Sequence, residues 1–201
     1  SGPLVSPGGH MVYTSGTTGR PKGVVRERIP VAELGSRLAL TKHLVELALG
    51  ITPGCRVLVP APLYHSGPST FLQNSLRIAE RVVLMSHFDA EHLLALIERH
   101  RIDVVYLVPI MYVRLLRLPE AVRKRYDISS LRFVASTGSP CAPDVKRAMI
   151  EWFGPIINET YASSEAGMIT SISSAEALLK PGSAGRPVLD AKVRILNVAG
   201  E

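Results

Sequence analysis

The 201-residue sequence has only two cysteines, Cys55 and Cys141, far apart and without the paired spacing of a metal site. That excludes a disulfide-stapled scaffold and makes a reduced, cytoplasmic setting the simpler expectation. Aromatic residues make up 5% of the chain, too few for the stacking platforms that hold single-stranded nucleic acid. No block of Lys and Arg marks a nucleic-acid tail, although the formal charge is +6. No apolar run reaches the roughly 20 residues that cross a bilayer, and no basic-then-apolar leader opens the chain. What is present is an ordinary globular composition, 46% hydrophobic and 20% charged. The basic residues are scattered and read mostly as solvated surface, with a weak bias toward phosphate-bearing partners.

Two periods alternate along the chain. Short apolar runs at 56–60, 81–85, 103–109, 131–137 and 156–161 predict strands. Between them lie helical periods. The first runs from Pro30 to Gly50 with Val31, Leu34, Leu38 and Val45 on one face. Others follow Gly67 and Asp89, the latter a cap with Phe88 and Leu93 as a staple. A further pair contains Met111, Leu115 and Leu116 and opens at Pro143. This alternation predicts an α/β fold: a mostly parallel sheet covered by helices on both faces, with ligands at the carboxyl ends of its strands. Residues 1–10 read as a linker and 11–172 as the core. Residues 173–201 read as a Ser/Gly/Pro-rich linker followed by the start of a smaller β segment at Lys192–Leu196.

The most informative stretch is YTSGTTGRPKGVV, Tyr13 to Val25. Its glycines allow consecutive N–H groups to line one concave side, its hydroxyls add donors, and Lys22 adds a mobile positive charge. Together these suit a phosphate chain. Five residues separate Gly16 from Lys22 and no Ser or Thr follows it, so this is not the loop of a phosphate-loop kinase. Pro21 and the following valines predict a hairpin between two strands rather than a helix start.

That string closely resembles the phosphate-loop signature of the adenylate-forming superfamily, which includes acyl- and aryl-CoA synthetases, luciferases and peptide-synthetase adenylation domains. Further matches follow in the family's order. PLYHSGP (Pro62–Pro68) resembles the segment lining the acyl pocket, and STGSPC (Ser136–Cys141) stands at the adenine loop. YASSEAG (Tyr161–Gly167) resembles the Tyr-Gly-x-Thr-Glu motif, and GSAGRPV (Gly182–Val188) resembles the Gly-x-x-Gly-x-Pro turn.

The resemblance implies two chemical steps: a carboxylate attacks the α-phosphorus of ATP, then a thiol, usually that of coenzyme A, takes the acyl group. It implies ATP and Mg²⁺ as cofactors and a small carboxylic acid as substrate. Thr14, Ser15, Gly16, Thr17, Thr18, Gly19 and Lys22 would hold the departing phosphates. Gly138, Ser139 and Pro140 would face Tyr161 across the adenine, unless Tyr161 is a core tyrosine. Asn158 would meet the base or merely cap its strand. Ala162, Ser163 and Ser164 complete the nucleotide motif, Ser164 standing where the family usually has Thr and Ala162 where it has Gly. Glu165 is the expected Mg²⁺ ligand, and His65 would line the acid pocket; Lys22, Ser164, Glu165 and His65 are the expected catalytic residues. HSGPSTFLQNS carries no acidic residue, so an uncharged tail is expected on the acid: fatty, aryl or steroid-like. By position in the family order the chain is a central piece of a longer enzyme, and on its own it is expected to turn over no substrate. The alternatives are a non-catalytic nucleotide-binding fragment or an adenylation domain with another acceptor.

Overall fold

The computed structural model of the protein describes residues 11–14, 20, 22–25, 30–189 and 191–200. β1 (Val12–Thr14) and β2 (Lys22–Val24) form an antiparallel pair, the hairpin expected from Pro21 and the valines. A single 3₁₀ turn leads into α1 (Leu34–Leu49), which ends at Gly50. Gly50 has φ 66°, and any Cβ there would collide with the Phe133 ring, so only glycine fits this turn. Strands and helices then alternate: β3 (Arg56–Val59), α2 (Ser66–Ile78), β4 (Arg81–Leu84), α3 (Ala90–His100), β5 (Val104–Leu107), α4 (Pro109–Leu116), a short α5 (Glu120–Arg123), β6 (Phe133–Ser136), α6 (Pro143–Phe153) and β7 (Ile157–Ser163). The Asp89 carboxylate accepts the His92 amide at 2.7 Å, capping α3 as its sequence predicts. Pro109 and Pro143 open their helices, where a missing N–H leaves no bond unmade.

The strands order as β4-β3-β5-β6-β7, all parallel. β8 (Gly167–Ile172) and β9 (Arg186–Pro187) extend the sheet antiparallel to seven strands. The fold class is therefore the expected one, a mostly parallel sheet with helices on both faces. α1 and α2 lie on one face, and α3, α4 and α6 on the other. Val57, Leu58, Val104, Val105, Leu107 and Val134 are fully buried between them. Near-continuous apolar strands of this kind follow from burial on both faces.

Three expectations need correction. On α1 the inward face carries Val45, Ala48 and Leu49, while Val31 and Leu38 are exposed. The Ser/Gly/Pro-rich stretch is not a linker: it holds α7 (Ser174–Leu179), capped by a reciprocal Ser173–Glu176 box, and then β9. Composition misled there because the S-x-x-E cap is made of the same residue types as a loop. Lys192–Leu196 forms no strand among the described residues, and Ile195 is almost fully exposed.

Asp103 ties the amino ends of three strands together. Its carboxylate accepts the Arg56 amide at 2.8 Å and the guanidinium at 2.8 and 3.2 Å, while its carbonyl accepts the Arg132 and Phe133 amides. Burial opposes ionisation, but the Arg56 hydrogen bonds outweigh it and hold the carboxyl below its ordinary range. The resulting stability is present above about pH 4, the range of a free Asp, and is lost as pH falls through the lower folded-state value. Asp103→Asn is expected to lower the urea midpoint at pH 7 and to converge on wild type as pH falls through the folded-state value. A gap that stays constant into acid would show that the carboxylate's charge is not what matters.

Candidate functional site

The carboxyl ends of β3, β6 and β7 each lead into one of the segments singled out in the sequence. After β3 the chain makes an exposed turn, Pro62–His65, in which the Tyr64 and His65 rings lie 4.5 Å apart. His65 is the residue before α2 and is exposed. Gly67, in the first turn of α2, packs so closely on β5 that a Cβ would strike the Tyr106 hydroxyl, with Thr137 Cγ2 at 3.7 Å beyond it. This close approach seats the Pro62–His65 turn on the ends of β5 and β6.

After β6, Thr137 donates its hydroxyl to the Thr160 carbonyl at 2.9 Å, clamping the loop to β7. Gly138, Ser139 and Pro140 are exposed, and Gly138 turns the chain with φ 96°. Cys141 is buried again and anchors the far end. Burial first, then the Glu159 carboxylate, push its thiol up to about 11, so at neutral pH it stays protonated. Cys55 is also buried. Neither thiol is placed to accept an acyl group.

At the end of β7, Tyr161 is 56% exposed, which removes the core-tyrosine alternative; the buried tyrosines are Tyr106 and Tyr112. A register shift falls between Tyr161 and Ala162, and Ala162 is exposed. Ser163 accepts the Ala166 amide at 2.9 Å, so its hydroxyl shapes the turn into β8. Glu165 sits in that turn, exposed and without an ion pair to any described residue. The decisive contact is between segments: Ser66 Oγ and Ser164 Oγ lie 3.2 Å apart, although 98 positions separate them in sequence. The Pro62–His65 turn, the adenine-loop candidate and the Ser164–Glu165 turn therefore converge at one end of the sheet.

Asn158 does not join them. By strand alternation it shares a face with Thr160, not with Tyr161, and it lines a recess with Leu47, Ser171, Arg186 and Val188 on the α1 side. The expectation that it meets the base is corrected accordingly. The residue on Tyr161's face is Glu159, paired with Lys146 of α6 at 2.9 Å. Sequence reading missed both partners, since nothing local links a helix lysine to a strand glutamate. Ser15, Gly16, Thr17, Thr18 and Gly19 lie outside the described residues. Thr14 and Lys22 stand opposite each other in the hairpin ladder, and Lys22 is exposed.

Among the described residues no three His, Cys, Asp or Glu side chains are grouped as a metal cage. A single exposed carboxylate fits Mg²⁺, which keeps most of its waters and is shared with substrate phosphates.

The AMP-binding enzyme family matches residues 10–201. The chain belongs to that family. Its members include relatives such as the medium/long-chain-fatty-acid–CoA ligase FadD8 of Mycobacterium tuberculosis, 35% identical over 193 residues, covering 95% of this chain and 32% of the ligase. The amide bond synthetase McbA of Marinactinospora thermotolerans superposes with a TM-score of 0.75 at 30% identity, over 94% of this chain and 36% of McbA. o-Succinylbenzoate CoA synthetase (MenE) of Bacillus subtilis, solved with its acyl-adenylate intermediate OSB-AMP, gives 0.69 at 28% identity over 95% of this chain and 37% of MenE. The chain spans about a third of the length of the curated relatives it matches. Its described helices include none long and apolar enough to cross a membrane.

Proposed function

We propose that this chain is the nucleotide- and acid-binding core of an enzyme that activates a carboxylic acid with ATP and passes the acyl group to coenzyme A. The observation that carries the reading is the Ser66–Ser164 contact, which joins the start of α2, just after the Pro62–His65 turn, to the turn after β7. Adenylation needs that juxtaposition. A carboxylate oxygen forms a bond to the α-phosphorus as the bond to the pyrophosphate oxygen breaks, and both partners are anions. Positioning and charge neutralisation therefore supply most of the rate.

Lys22 and the loop it closes would hold the departing β- and γ-phosphates, Lys22 as a point charge. Ser164 would donate its hydroxyl to the α-phosphate. Tyr161 and Gly138–Pro140 would sandwich the adenine, and His65 would stand at the acid. Mg²⁺, held by Glu165, would neutralise the phosphates. In the second step a thiolate attacks the acyl carbonyl and AMP leaves. Cys55 and Cys141 are both buried, so neither is available as that thiol, and coenzyme A is the proposed donor. An acid with an uncharged fatty, aryl or steroid-like tail fits a pocket segment without acidic residues.

The likeness to an amide bond synthetase favours one second reading, transfer of the acyl group to an amine. Acid-dependent ATP–pyrophosphate exchange by the full-length protein, across a panel of such acids, tests the first step. Mass detection of a thioester or an amide then separates the acceptors. Lys22→Ala is expected to raise the KM for ATP about tenfold, the value of one charged contact. Exchange with no acid dependence, or an unchanged KM in that variant, would count against the assignment.

A further inference from the structure

Ser164 is a serine in a turn, and serine hydroxyls move readily among three staggered positions. A hydroxyl that must meet one phosphate oxygen gains from each contact that favours the right rotamer. Ser66 is placed to supply one. It is the first residue of α2, half-buried, with its Oγ 3.2 Å from Ser164 Oγ. Its backbone has little freedom, because the neighbouring Gly67 lies against the Tyr106 hydroxyl with no room for a methyl. Tyr106 is 2% exposed on β5 and packs its ring 5.5 Å from Phe71 of the same helix. Ser66 thus presents its hydroxyl from a rigid mount that also carries the Pro62–His65 turn, the acid side of the proposed site.

We propose that Ser66 is a positioning residue: it orients the Ser164 hydroxyl toward the nucleotide and so couples the seat of the acid-side turn to phosphate activation. This rests on the adenylating reading of the site. Any displacement of α2, as when an acid fills or leaves the turn before it, alters the Ser66–Ser164 bond and hence the orientation of the donor.

The test uses the full-length protein and four variants: S66A, S66T, S164T and S66A/S164T. S66A is expected to lower kcat/KM for ATP in acid-dependent exchange about tenfold, one hydrogen bond's worth, with the melting temperature within about 2 °C of wild type. S66T, which keeps the hydroxyl, restores the rate to within about threefold. Threonine at 164 carries a second heavy atom on Cβ that restricts its rotamer unaided, so S66A costs less than about threefold in the S164T background. Wild-type exchange by S66A, or the same tenfold loss in both backgrounds with a lowered melting temperature, overturns the proposal. If wild type shows no acid-dependent exchange, the adenylating reading falls separately. Calorimetric affinity for ATP–Mg²⁺ then decides Ser66: about tenfold weaker binding by S66A supports it, and equal binding overturns it.

Discussion

Glu165→Gln is expected to reduce acid-dependent pyrophosphate exchange at least about 100-fold at low millimolar Mg²⁺, the scale of losing one preorganised electrostatic group. Glutamine has the size and shape of glutamate, so the turn between β7 and β8 keeps its form and only the charge is lost. Glu165 is exposed and lies beside Ser164. No rival carboxylate cluster occurs among the described residues. Mg²⁺ would therefore arrive on the phosphates and find one protein ligand. That predicts a particular kind of defect. The half-saturating Mg²⁺ concentration rises, and part of the lost rate returns at high metal. A loss of rate with an unaltered metal titration would remove Glu165 from the metal site and leave it a surface glutamate.

The sheet was legible because its strands are buried on both faces and so appear as unbroken apolar runs such as Val104–Leu107. Helix starts at Pro109 and Pro143 and the cap at Asp89 were legible because each is decided by its own backbone chemistry within a few residues. What escaped depends on partners far away or on parity. β8 is a half-buried strand, too mixed in pattern to stand out from the turn it follows. The alternating Lys192–Leu196 found no neighbour among the described residues, and alternation without a partner strand makes no sheet. Asn158 was separable from Tyr161 by strand alternation alone, since three residues apart means opposite faces. For the site, the family motifs located the segments, but the Ser66–Ser164 contact needed the fold. So did the ion pair under the adenine-loop candidate.

That ion pair underlies the largest expected change in stability. Lys146 Nζ lies 2.9 Å from Glu159 Oε2, with the side chains 7% and 13% exposed. The approach is close enough for strong charge attraction, yet Oε2 receives no well-directed hydrogen bond. Nearby, burial raises the Tyr112 phenol far above its ordinary range, and the Ser136 hydroxyl beside it is also buried without a partner of good geometry. The surroundings are thus largely buried, and a charge left alone there is poorly solvated. Lys146→Met is expected to destabilise the folded protein by about 3–5 kcal/mol, because it strands the Glu159 carboxylate. Glu159→Leu should cost a similar amount by stranding the ammonium. Replacing both together should recover most of the loss, since two apolar side chains of similar volume need no solvation. Denaturant midpoints of the wild type, the two single variants and the double variant measure this cycle. If the double variant is as unstable as the sum of the singles, the pair is not coupled, and α6 is held by the burial of Met149, Ile150 and Phe153 instead.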